Sequence, residues 1–190
     1  MIRDISPDLW LVPLEQLFSH MDRTYDQTAR AYGFHCQGCD DNCCYTRFYH
    51  HTLLEYLYLH KGLDGLGPEQ RQKTVEKARA VVSETQKAEQ NGLSPRIMCP
   101  LNHEGLCTLY GFRPMICRLH GMAHELRKPG QSPVKSSGCG AFSDLTQAMD
   151  YIPFDRTPFY IEMVHLEKNL RQASGVRDRI RHTIAEMILL

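Results

Sequence analysis

Apolar residues recur at helical spacing soon after the start of the chain. Leu14, Leu17, Phe18, Met21, Tyr25 and Tyr32 share one stripe, while Glu15, Asp22, Arg23 and Arg30 fall off it. This pattern predicts an amphipathic helix over 14–32, with Pro13 suited to its start and Gly33 to its end. The run Tyr45 to Lys61 is apolar on several sides through Phe48, Leu53, Leu54, Tyr56, Leu57, Tyr58 and Leu59. Such a run reads as a buried central helix. Gly62, Gly65, Gly67 and Pro68 then break the chain. Residues 68–90 form a third helical pattern, rich in Glu, Gln, Lys and Ala. Its stripe is narrow (Val75, Ala78, Val82, Thr85), and Asn91-Gly92 closes it.

Regularity fades over 93–121, where Leu106–Leu109 and Pro114–Leu119 suit short helical turns. Met122–Leu126 and Val134–Ser137 flank Arg127-Lys128-Pro129-Gly130-Gln131-Ser132-Pro133, a pattern that suits a small β-hairpin. Ser143 reads as the cap of a short helix through Met149. Thr157 and Pro158 make an N-cap and first-turn pair for a helix to about Ala173. After Gly175, Val176, Ile180, Ile184 and Met187 predict a last helix, and Met187-Ile188-Leu189-Leu190 read as a packed tail. The fold class expected is mostly α. It is one small helical domain over 1–190 with irregular metal-binding loops and one short β-hairpin. A cysteine-rich core spans about 34–140, and the C-terminal helices over 157–190 pack on it.

Composition narrows the function classes. Apolar residues make up 42% of the 190 and charged residues 23%, ordinary for a globule. Lys plus Arg balances Asp plus Glu at 22 each, so no net charge favours nucleic acid or an anionic membrane as partner. Met1-Ile2-Arg3-Asp4-Ile5-Ser6-Pro7 lacks the apolar region of a signal peptide. No run reaches the length of a membrane span. A cytoplasmic location is expected.

That location alters the reading of the eight cysteines, Cys36, Cys39, Cys43, Cys44, Cys99, Cys107, Cys117 and Cys139. In a reducing compartment such clusters bind metal more often than they form disulfides. Cys36 and Cys39 form a Cys-x2-Cys pair with Gly38 between them, which lets two thiolates reach one metal from a tight turn. Four thiolates close a tetrahedral zinc site at about 2.3 Å or hold an iron–sulfur cluster. Cys43 and Cys44 are adjacent, and neighbouring side chains diverge. They serve two metals, or two atoms of one cluster, more easily than a single ion. The late group is Cys99-Pro100, Cys107, Cys117 and Cys139. Spacing leaves open one site or two, and which thiols share a site.

Arg113 and Arg118 bracket Cys117 and are expected to stand behind the metal ligands, where cations favour thiolates. Lys128 and Lys135 divide evenly between that role and plain surface charge. Of the ten histidines, His103 and His120 are the first candidates for ligation. Tyr110 and Phe112 read as packing residues. No phosphate-binding loop, dinucleotide fingerprint or hydrolase motif occurs, so whether the chain is an enzyme stays open.

Two motifs in order, Phe34-x-Cys-x2-Cys-x3-Cys-Cys and Cys99-Pro100-x6-Cys107-x-Leu109-Tyr110-x2-Arg113-Pro114-x2-Cys117-Arg118, resemble the bacterial cysteine-cluster proteins of the YkgJ type. That is a zinc- or iron-chelating domain family, and the likeness covers about 34–140. The family's first motif is usually Cys-x2-Cys-x2-Cys-Cys, whereas Asp40-Asp41-Asn42 puts three residues in the second gap here. The resemblance implies a metal, zinc or iron. Some relatives carry oxidoreductase labels and a flagellin lysine methylase has a similar cysteine pattern. The leading expectation is an iron–sulfur or other iron centre with a redox or electron-transfer role and a redox or protein partner. A structural zinc module is the alternative. A metal-dependent oxidoreductase or methyltransferase-associated protein is the third reading.

Overall fold

In the computed structural model, which describes residues 8–36, 43–128 and 130–190, the first apolar stripe becomes α1, Asp8–Ala31. It starts upstream of the expected position, with Pro13 inside it. Leu11 explains the difference. It is as fully buried as Leu14, so its burial draws residues 8–13 into the helix.

The chain divides into two compact units, one of residues 1–43 and 115–176, the other of 44–114 and 177–190. The 34–140 stretch expected to hold the cysteine core contributes to both.

In the first unit α1 packs on α4, Met115–Leu119, and on α6, Thr157–Ser174. The core there gathers Leu14, Leu17, Phe18, Met21, Phe142, Phe154, Phe159 and Leu170. The predicted hairpin is present as β3, His124–Leu126, and β4, Val134–Ser136, with Glu125 opposite Lys135. Helix α5, Gly140–Thr146, starts three residues before the expected Ser143. Cys139 takes the cap position and its carbonyl accepts the Ser143 N–H at 2.9 Å, while the Ser143 hydroxyl donates to Ser137 O instead. Thr157 is likewise not the cap of α6. Arg156 holds that position, and the Thr157 N–H donates to Asp155 Oδ1 at 2.9 Å. Gly175, at φ 70°, ends the helix as expected.

In the second unit, the central helix expected from Tyr45 starts only at Leu53, as α2, Leu53–Asp64. The Thr52 hydroxyl accepts the Glu55 N–H at 3.2 Å and donates to Glu55 Oε2 at 2.7 Å, fixing the start there. Helix α3, Pro68–Gln90, matches its prediction and packs on α7, Ile184–Leu189. The last helix is far shorter than its stripe suggested. Thr183 and Glu186 form a reciprocal cap, and His182 exchanges two backbone hydrogen bonds with His50, at 2.8 and 3.1 Å. Those bonds hold the preceding residues extended. Met187 and Ile188 are buried, but Leu189 and Leu190 are exposed, so only the first half of the expected packed tail is packed. Leu106–Leu109, expected as a helical turn, instead contributes strand β2, Leu106–Cys107, paired with β1, Asn102–His103. Glu104 and Gly105 both have positive φ, 52° and 85°, the backbone of a tight two-residue hairpin turn. A 3₁₀ turn over Tyr110–Phe112 leads to Pro114. The class is mostly α, as expected. Seven α-helices and two short antiparallel strand pairs occur among the described residues.

Candidate metal centre

Three cysteines are gathered in the second unit from separate stretches of chain. The Cys99 N–H donates to Cys44 O at 2.8 Å, placing those segments side by side. Cys107 is brought back by the β1–β2 hairpin, where it pairs with Asn102. The Thr108 N–H and hydroxyl both donate to Leu101 O, at 2.8 and 3.1 Å, and lock this return.

The same local device recurs at two of the sulfurs. The backbone N–H of Leu101 donates to the Cys99 sulfur, and that of Leu109 to the Cys107 sulfur. Each leucine is two residues beyond its cysteine, and both are buried with Leu59, Leu63, Ala78, Ala185, Met187 and Ile188. Core burial of the leucines thereby aims their amides at the thiols. An N–H pointed at sulfur favours the ionised form.

Electrostatics without a cation oppose that form. Burial pushes the Cys99 thiol up to about 12, and Cys44 and Cys107 add to the rise. Cys107 is raised as well, first by burial and then by Cys44, while Arg113 pulls it down. The sulfurs thus act on one another. Unless a cation joins them Cys99 and Cys107 remain thiols at neutral pH, and a coordinated metal ion reverses that balance.

The first unit holds Cys36, which is exposed, Cys43, partly exposed, and the buried pair Cys117 and Cys139. Cys117 rides on α4. The Cys139 N–H donates to Gly121 O at 2.7 Å. That approach needs Gly138, whose φ is 86° and where a Cβ would come within 2.4 Å of Gly121 O and 2.8 Å of Ala123 N. Adjacent Cys43 and Cys44 therefore fall in different units. No disulfide joins the seven described cysteines, and Cys39 lies outside the described residues.

The other predicted residues divide. Arg113, partly exposed, donates from Nε to Tyr110 O at 3.0 Å, stacks 3.6 Å from the Tyr110 ring centre and acts on Cys107. Arg118 is buried, pairs with Asp22 at 2.5 Å and lies 4.4 Å from the Phe18 ring centre. His103 is exposed on β1. The His120 carbonyl accepts the Tyr25 hydroxyl at 2.9 Å. Lys135 covers the Tyr151 ring at 4.8 Å, Tyr110 is exposed, and Phe112 packs on Tyr58.

The donor type fits zinc or iron, since thiolates are the soft ligands both accept. Among the described residues, however, no group of three or more His, Cys, Asp or Glu side chains is placed so that it could hold a metal ion. The amide donors were missed by sequence reasoning. Their signal is the repeated Cys-x-Leu at 99–101 and 107–109.

No family model, no curated protein and no solved structure matches this chain. Among the described residues no helix is long and apolar enough to cross a membrane.

Proposed function

We propose that this chain binds metal through its clustered cysteines, as an iron–sulfur or other iron centre with a redox or electron-transfer role in the cytoplasm. One observation carries the reading. Cys44, Cys99 and Cys107 lie near enough to influence one another's charge, and backbone amides point at two of their sulfurs. Half-buried thiols near one another, two of them provided with donors that favour the thiolate, suit a cation. The division of Cys43 and Cys44 between units supports two sets of ligands. One set is Cys44, Cys99 and Cys107, backed by Arg113. The other draws on Cys36, Cys39, Cys43, Cys117 and Cys139. When bound, an iron–sulfur group would supply one-electron chemistry, and a redox or protein partner would exchange the electron. The motif likeness to YkgJ-type proteins agrees with a metal.

Protein purified under argon is expected to be brown, to absorb near 400 nm, a value typical of iron–sulfur proteins, and to give an electron paramagnetic resonance signal on reduction. A colourless protein containing stoichiometric zinc overturns the iron reading. It would favour structural zinc, a reading supported by the packing of Cys99 and Cys107 against core leucines. Zinc there would contribute folding energy directly.

A further inference from the structure

Arginines occupy alternate positions, 177, 179 and 181, in the stretch that leads to the His50–His182 bridge. All three are exposed, while Val176, Ile180 and His182 are half-buried. The bridge holds this stretch extended, and side chains alternate about an extended backbone. Arg177, Arg179 and Arg181 therefore stand along one side at intervals of about 6.5 Å.

Antiparallel pairing of His50 with His182 makes Tyr49 and Arg181 diagonal neighbours on one face. The Arg181 guanidinium lies 4.1 Å from the Tyr49 ring centre, and that of Arg47 lies 5.1 Å from it. Arg47 also donates to the Tyr49 hydroxyl and pairs with Glu89 at 2.6 Å. Among the described residues, Arg177, Arg179 and Arg181 take part in no ion pair. Asp178 is the one acid within the run. This face therefore carries surplus positive charge, although cations and acids balance at 22 each over the whole chain.

We propose that the face formed by Arg177, Arg179, Arg181 and Arg47 around Tyr49 docks an extended acidic segment of a partner protein. Carboxylates on alternate residues of such a segment repeat at the same interval as the arginines. A guanidinium fork matches a carboxylate with two parallel hydrogen bonds. Single-stranded nucleic acid fits less well, because it needs aromatic faces on which bases stack. The Tyr49 ring already carries two guanidiniums. The inference stands on the arginines and is independent of bound metal.

The test measures fluorescence anisotropy at low salt with the full chain. The probes are an end-capped, alternating Glu-Thr dodecapeptide and a thymidine heptanucleotide, which carries as many charges. Wild-type chain is expected to bind the peptide saturably, and more tightly than the oligonucleotide. A triple variant, Arg177→Gln with Arg179→Gln and Arg181→Gln, is expected to bind the peptide about tenfold more weakly, as the loss of three exposed ion pairs requires. A control with the same change of charge, Arg71→Gln with Lys73→Gln and Lys77→Gln, should lose less than about twofold. Its sites lie on α3, 12 residues or more before Glu89, about 18 Å of helix or more. Far-ultraviolet circular dichroism reports whether each variant folds. If the first triple variant does not fold, Arg177→Gln with Arg179→Gln decides, since it leaves Arg181 on Tyr49, and a loss of about fourfold is expected. Wild-type chain that does not bind the peptide, a loss equalled by the control, or tighter binding of the oligonucleotide overturns the proposal.

Discussion

Cys99 illustrates how single residues carry this account. Its sulfur is buried, receives the Leu101 N–H and stands beside two other thiols. Cys99→Ser removes a soft donor and leaves a hydroxyl in its place. We expect it to lower the metal content of purified protein and its melting temperature together, as elemental analysis and calorimetry would record. Gly138 is equally constrained. Gly138→Ala forces a positive φ on alanine and drives a methyl into the 121–123 backbone. A loss of about 1–3 kcal/mol is expected, readable in urea denaturation, and an unchanged midpoint would contradict the close approach. At this scale the sequence was informative about which atoms matter and silent about their neighbours. Arg113 and Arg118 look alike beside Cys117, yet Arg113 acts on Cys107 while Arg118 pairs with Asp22 on α1. Only long-range packing separates them.

At the scale of elements, caps outrank stripes. The apolar run from Tyr45 continues well before Leu53, but Thr52 and Glu55 set where α2 begins. Val176 to Met187 carries a helical stripe, yet Thr183 starts α7 and the His50–His182 bridge claims the backbone before it. Both caps were legible as Thr-x-x-Glu in the sequence. Periodicity alone hid them, because a stripe says which face is buried and not where hydrogen bonding starts. The β1–β2 hairpin was hidden for another reason. Its turn uses Glu104 at positive φ, and glutamate does not announce that conformation as asparagine does. Thr52→Ala is expected to destabilise the second unit by about 1 kcal/mol, measurable by thermal denaturation. Leu101→Ala should cost about 2–5 kcal/mol and also loosen the amide aimed at Cys99. A drop in metal affinity larger than that of Thr52→Ala would separate this second effect.

At the scale of the molecule, the helical class followed from composition and stripes, and the structure agrees. The division into two units did not follow, because each unit is built from segments far apart in the chain. The cysteine grouping was hidden in the same way. Sequence order does not show that the Cys99 N–H donates to Cys44 O, nor that the boundary between the units falls between Cys43 and Cys44. The central claim is that these thiols exist to bind metal. Its most direct test is the metal-to-protein ratio of full-length chain purified anaerobically, beside a Cys44→Ser, Cys99→Ser, Cys107→Ser triple variant. The account predicts bound iron, or zinc on the alternative reading, in the wild type and a clear loss in the variant. Wild-type protein that is folded, fully reduced and free of transition metal would contradict it.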